Sequence, residues 1–277
     1  MKKAWFLLAA SFLSVAVRAQ ELSLQMTLQN REYIVGEPLL VAFDFLNVAR
    51  TPISCGKDDS PDRFFVEITK GSDQFDFVKP FNQKPVGGAF TVQGGENRRI
   101  TAELDKWFPL LKEGKYFVRG ILVHRGTRYE SAKKSFDIVG GIKLQEGYQM
   151  FVNRANLKRT FRLVYWSRNH MERLFLRISD EPGNRVWDTI DLGTLLRTSP
   201  VRLDISPEGE VTIVQRASQD AFLRTLVWSL PDTIEIAERN PLIDPDISAS
   251  QRAKSLYNEM VDDGKEKKSK KPWYKFW

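Results

Sequence analysis

Leu22-Ser23-Leu24-Gln25-Met26-Thr27-Leu28 is the stretch that decides the fold class. Apolar side chains at 22, 24, 26 and 28 alternate with polar ones at 23, 25 and 27. That period of two belongs to a strand with one buried face. Working outward, Asn30 to Gly36 reads as a turn, and Pro38 starts a second strand without having to donate in its ladder. Leu39, Val41, Phe43 and Phe45 share one side of it, and Asn47 ends the run. Phe64, Val66 and Ile68 form the next strand, closed by Lys70-Gly71-Ser72. Phe75 and Phe77 follow, then a loop through Gly87-Gly88, then Ile100, Ala102 and Leu104 after Gly94-Gly95-Glu96. Tyr116, Val118 and Gly120 alternate against Phe117, Ile121 and Val123, a strand expected to be covered on both faces. Phe136 and Ile138 complete the series before Gly140-Gly141.

About seven short strands without a helical period predict an all-β fold, with an immunoglobulin-like two-sheet sandwich over residues 20–139. Leu111-Lys112-Glu113-Gly114-Lys115-Tyr116 sharpens this expectation. A tyrosine two residues after a turn glycine, at the start of a long strand, resembles the tyrosine corner, whose phenol bonds back to upstream backbone. Together with Tyr33-Ile34-Val35-Gly36-Glu37-Pro38 and the Gly94-Gly95-Glu96 turn, residues 21–139 resemble bacterial extracytoplasmic Ig-like modules related to intracellular-proteinase-inhibitor domains. The resemblance implies a spacer or a binding platform.

Residues 140–240 change character and stay β-rich. Phe161, Leu163 and Tyr165 alternate, as do Leu174, Leu176 and Ile178, with a turn near Ser167-Arg168-Asn169 between them. Asp180-Glu181-Pro182-Gly183-Asn184 and Ser206-Pro207-Glu208-Gly209 carry the residues of tight turns. Val186 to Ile190, Val201 to Ile205, Val211 to Gln215, Phe222 to Trp228 and Thr233 to Ile236 supply further strands. The expectation is a second β domain, built as a sandwich or a meander. Beyond Pro241, Asp244-Pro245-Asp246 offers an N-cap, and Ala253, Leu256, Tyr257, Met260 and Val261 recur at helical spacing up to Gly264. Residues 241–264 are therefore expected to form a linker and a short amphipathic helix, with a disordered basic-aromatic tail over 265–277.

Compartment is read from the start of the chain. Lys2 and Lys3 precede an apolar run from Ala4 to Val17, and Val17-Arg18-Ala19 suits a signal-peptidase site. The expectation is a leader over residues 1–19 and a mature chain exported to the periplasm or beyond. No later run is long enough to span a bilayer. The net charge of +7 is unevenly spread: residues 265–277 carry six lysines against Glu266, the leader carries three cations, and the remainder is close to neutral. A nucleic-acid binder carries its basic face on a folded domain, so no nucleic-acid partner is expected. Cys55 is the single cysteine, which excludes an intrachain disulfide. It is expected to be buried, in a turn running from Thr51 to Gly56.

Little in the chain suggests catalysis. His124 and His170 are the only histidines. Neither has ligands at zinc spacing, and both are expected on the surface. Asp58, Asp59 and Asp62 lack the pattern of a calcium loop and read as a solvated turn. Asp180, Glu181 and Asp188 are ordinary turn and strand carboxylates beside the alternative of a glycosidase pair. No phosphate-binding or dinucleotide motif is present, and no cofactor or metal is expected. The tail is different. Lys267, Lys268, Lys270, Lys271 and Lys275 interleave with Trp273, Tyr274, Phe276 and Trp277. Ammonium groups with rings suit an anionic surface or an envelope protein. The resulting expectation is an exported, non-enzymatic binding or scaffolding protein of the bacterial envelope. The alternatives are a secreted hydrolase of polysaccharide or peptide, and a protease-inhibitor or chaperone-like module presenting Gly87–Gly95.

Overall fold

A computed structural model describes residues 22–57, 60–71, 76–151, 157–181, 185–219 and 221–243. The fold is all-β, without an α-helix among these residues, and the chain divides into two compact units at Val139/Gly140. No helix among the described residues is long and apolar enough to cross a membrane.

Unit 1 contains β1 (Leu22–Leu28), β2 (Glu32–Ile34), β3 (Leu40–Asn47), β4 (Ile53–Cys55), β5 (Arg63–Lys70), β6 (Phe90–Val92), β7 (Asn97–Glu103), β8 (Gly114–His124), β9 (Thr127–Glu130) and β10 (Lys134–Val139). One sheet has the order β1-β3-β7. A second runs β2-β10-β8-β5 with β9 against β8, and β4 pairs with β6 in a small third. The antiparallel register Leu22↔Asn47 to Leu28↔Val41 sets Leu22, Leu24 and Met26 on the buried side beside Val41, Phe43 and Phe45. Phe64, Val66, Ile68, Tyr116, Val118, Leu122, Phe136 and Ile138 of the second sheet join the same core. Phe64 stands edge-on to both Phe43 and Phe45, with ring centres 5.0 Å apart. Gly120 makes room for this: a Cβ there would lie 2.8 Å from Phe43. The Tyr116 hydroxyl donates to the Lys112 carbonyl at 2.7 Å, the backward bond expected of its position.

Several local expectations are corrected. Asn30–Gly36 is not all turn, because Glu32–Ile34 pairs in parallel with β10 and buries Tyr33 and Ile34. Thr51–Gly56 contains β4, paired with β6. Phe77 makes only an isolated bridge to Thr69 and is exposed. Phe90 and Val92 are buried, so the middle of Gly87–Gly95 packs inward and is not a presented loop.

Unit 2 consists of β11 (Ile142–Met150), β12 (Lys158–Arg168), β13 (Met171–Glu181), β14 (Arg185–Thr194), β15 (Arg202–Ile205), β16 (Glu210–Arg216), β17 (Ala221–Leu230) and β18 (Thr233–Ile243). They form two four-stranded antiparallel meanders, β11-β12-β13-β14 and β15-β16-β17-β18. Phe161, Leu163, Leu174, Leu176, Ile178, Ile190 and Leu192 of the first share a core with Leu203, Val211, Ile213 and Val227 of the second. Gly147 lets β11 approach β15 closely, since a Cβ there would meet Ile205 Cδ1 at 2.6 Å. Asn169 and His170 both have left-handed φ, 52° and 63°, between the paired Arg168 and Met171. This is the two-residue hairpin turn whose twist matches its strands. β18 runs on to Ile243, so residues 241–243 are strand. The helix expected further along lies outside the described residues.

Candidate functional site

Unit 1 draws together the three residue types the sequence offered for chemistry. Asp62, just before β5, bridges to Cys55 at the end of β4. The Arg63↔Val123 pairing sets Asp62 beside His124 at the end of β8. His124 Nδ1 lies 2.8 Å from Asp62 Oδ1, and Asp62 Oδ2 accepts from the Ser54 amide at 3.1 Å. The two side chains are 6% and 3% exposed, which corrects the expectation of a surface histidine and of a solvated Asp62. Asp58 and Asp59 lie outside the described residues. A carboxylate only accepts, so Nδ1 carries the hydrogen. Nε2 is buried without a hydrogen-bond partner among the described residues.

A histidine oriented by an aspartate is half of a nucleophile-activating arrangement. Cys55 is a free, buried thiol. Burial first, and the Asp62 charge second, push its pKa up to about 12. Nucleophilic attack and metal ligation both need the thiolate. Among the described residues no three His, Cys, Asp or Glu side chains converge as a metal site.

The carboxylates of unit 2 serve other ends. Asp180 takes a two-pronged bond from fully buried Arg159, Nε–Oδ1 2.7 Å and Nη2–Oδ2 3.1 Å, and accepts from Trp187 Nε1. Arg159 also donates to Ser229 Oγ and to the carbonyls of Leu230 and Pro231, at 3.1, 2.7 and 3.1 Å. All five guanidinium N–H donors are thereby used. Phe151 and Trp187 lie against the cation, 5.0 and 4.7 Å from its carbon. Sequence reading missed this clamp, because an arginine at a strand position next to Lys158 looks solvent-facing. Glu181 pairs with Lys158 at the surface. Asp188 accepts from the Thr189 amide.

Unit 2 carries a cleft of about 400 Å³ between β11 and the β14–β15 connection, lined by Leu144, Gln145 and Arg197 to Val201. Among these, Arg197 is held by Glu172 and Tyr165. Nε and Nη2 donate to the two oxygens of Glu172 at 2.8 and 2.6 Å, and Nη1 donates to Tyr165 Oη at 3.0 Å. The Tyr165 ring centre lies 4.6 Å from the guanidinium carbon. The Glu172 bond raises the Arg197 pKa further above its ordinary value. Ser199-Pro200 between two strands was the available signal, and it reads as a plain loop. The tail residues Lys267, Lys268, Lys270, Lys271, Trp273, Tyr274, Lys275, Phe276 and Trp277 lie outside the described residues.

The sequence matches no protein-family model and no curated protein. Among solved structures, one similarity is to the Pseudomonas fluorescens alkylpurine DNA glycosylase AlkC bound to DNA containing an abasic-site analogue. It has 14% identity over 43% of this chain, with a TM-score of 0.29. This chain spans 30% of the length of that glycosylase chain. Another is to Spo0M, a sporulation control protein from Bacillus subtilis. It has 10% identity over 88% of this chain and 99% of that one, again with a TM-score of 0.29. At these scores neither likeness bears on fold or function.

Proposed function

We propose that this chain is an exported, non-enzymatic binding or scaffolding protein of the bacterial cell envelope. The observation that carries the reading is the fate of the reactive side chains. The single thiol is buried with its pKa raised to about 12, and the His124–Asp62 pair is sealed in the core of unit 1. Unit 2 also presents a cleft with a fixed arginine.

Unit 1 is an immunoglobulin-like sandwich in this reading. The strand orders β1-β3-β7 and β2-β10-β8-β5, with β2 parallel to β10, support it, as does the Tyr116–Lys112 bond. Tyr116→Phe is expected to lower stability by about 1 kcal/mol, read by denaturant unfolding. Residues 1–19 act as the leader. Residues 265–277 contact an anionic surface or an envelope protein through their lysines and rings. Affinity capture from native envelope, with the full chain and with residues 265–277 deleted, tests the proposal. Retention of a specific partner that weakens on deletion supports it; turnover of a peptide or polysaccharide panel by the purified chain, or equal capture by both forms, contradicts it.

A further inference from the structure

The cleft beside Arg197 has the parts of a carboxylate-reading site. Three of the five N–H donors of Arg197 are engaged by Glu172 and Tyr165, which leaves two among the described residues. The guanidinium is already oriented by a carboxylate fork and an aromatic face, so little ordering remains for a ligand to impose. The loop carrying it is tied at its start. Leu195 N donates to the Glu172 carbonyl at 2.9 Å, and Leu196 N donates to the Arg216 carbonyl at 2.8 Å. Arg216 Nη1 donates to Ser199 Oγ at 3.3 Å, a bond that does not use the hydroxyl's own hydrogen.

The remaining walls are apolar. Leu144 falls where the β11–β12 register skips from Lys143↔Val164 to Gln145↔Leu163, so it sits outside the ladder and is 40% exposed. Pro200 and Val201 complete that wall. A site with one fixed cation, a donating hydroxyl and a short apolar wall takes an anion attached to an apolar side chain. Its volume is at the small end of the range for ligand sites.

We propose that this cleft binds a carboxylate carried next to an apolar side chain, the chemistry of the C-terminal residue of a peptide or of a free N-acyl amino acid. The inference rests on reading the protein as a binding module, and it names what one of its surfaces recognises. Arg197 and Ser199 donate to the carboxylate, Leu144, Pro200 and Val201 pack the side chain, and Tyr165 and Glu172 are positioning residues.

The test is calorimetric or NMR titration of the full chain with N-acetyl-leucine, its C-terminal amide, and the tripeptide Ala-Ala-Leu with a free carboxylate. The acid is expected to bind at least about tenfold more tightly than the amide, the usual effect of losing a charged hydrogen bond. Arg197→Met should abolish that difference, bringing the acid down to the level of the amide. Glu172→Gln should strengthen acid binding by releasing Arg197 from its partner charge. A tripeptide tighter than the free acid identifies a peptide terminus as the ligand; the reverse order identifies a small acid. Equal binding of acid and amide, discrimination that survives Arg197→Met, or no saturable binding of any probe up to about 10 mM would overturn the proposal. Envelope capture with and without residues 265–277 does not depend on this cleft, so the two readings can fail separately.

Discussion

Each unit buries a basic side chain against an aspartate, and the two pairs are finished to different degrees. In unit 2 the guanidinium of Arg159 uses every donor, on Asp180, Ser229 and two carbonyls of the β17–β18 turn, with rings on its faces. In unit 1 His124 is tied to Asp62 through Nδ1, and Nε2 meets no hydrogen-bond partner among the described residues. A buried charge is tolerable when its hydrogen bonds are complete and expensive when they are not. The Arg159 pair therefore acts as a structural clamp that fastens the first meander to the second. The His124 pair holds β4, β5 and β8 together through one bond and the Ser54 amide, and it retains one polar atom that contributes nothing to the fold.

The comparison predicts an order of effects. Arg159→Met leaves Asp180 buried without its cation and should cost about 3–5 kcal/mol. The loss should be concentrated in unit 2 and visible as lost amide protection there. The double change Arg159→Met with Asp180→Leu should recover much of this, since replacing both members of a buried pair is often near neutral. If Arg159→Met alone is mild, the clamp is not what joins the meanders.

Asp62→Asn should cost less, about 1–3 kcal/mol, confined to unit 1. A loss as large as that of Arg159→Met would erase the distinction between the pairs.

A pH-dependent effect, absent near neutrality, belongs to Cys55. Below about pH 9 its thiol is protonated in both folded and unfolded chains. Between about pH 9 and 12 the unfolded chain releases the proton while the folded chain keeps it. Stability therefore falls as pH rises through that window, by at most about 1.4 kcal/mol per pH unit. Cys55→Ala should flatten the decline, read as the difference between the two unfolding profiles.

How much of this was legible in the sequence depends on how local the signal is. Leu22–Leu28 and Leu40–Asn47 announce themselves because each carries enough alternation to mark a face. β2, β4 and β6 do not: each has three residues, too few for a period, and each exists only because a partner distant in sequence pairs with it. β11 is hard to read for a related reason, since Gly147 and the skipped Leu144 interrupt its alternation. The buried pairs were hidden more completely. Asp62 and His124 stand 62 positions apart, and nothing local marks either as interior. Arg159 needs the β17–β18 turn, 71 and 72 positions away, to complete its bonds. The Arg197 cleft was invisible because its cation, tyrosine and glutamate come from three separate strands or loops.

Cys55 and the His124–Asp62 pair are buried groups of unit 1. The most direct measurement is the rate of Cys55 alkylation by iodoacetamide in the native protein across pH 6 to 10. The buried thiol should react only as fast as the protein opens, tracking denaturant, with no inflection in the usual thiol range. Rapid native-state alkylation with an apparent pKa at or below that range would contradict it, because it would reveal an accessible thiolate.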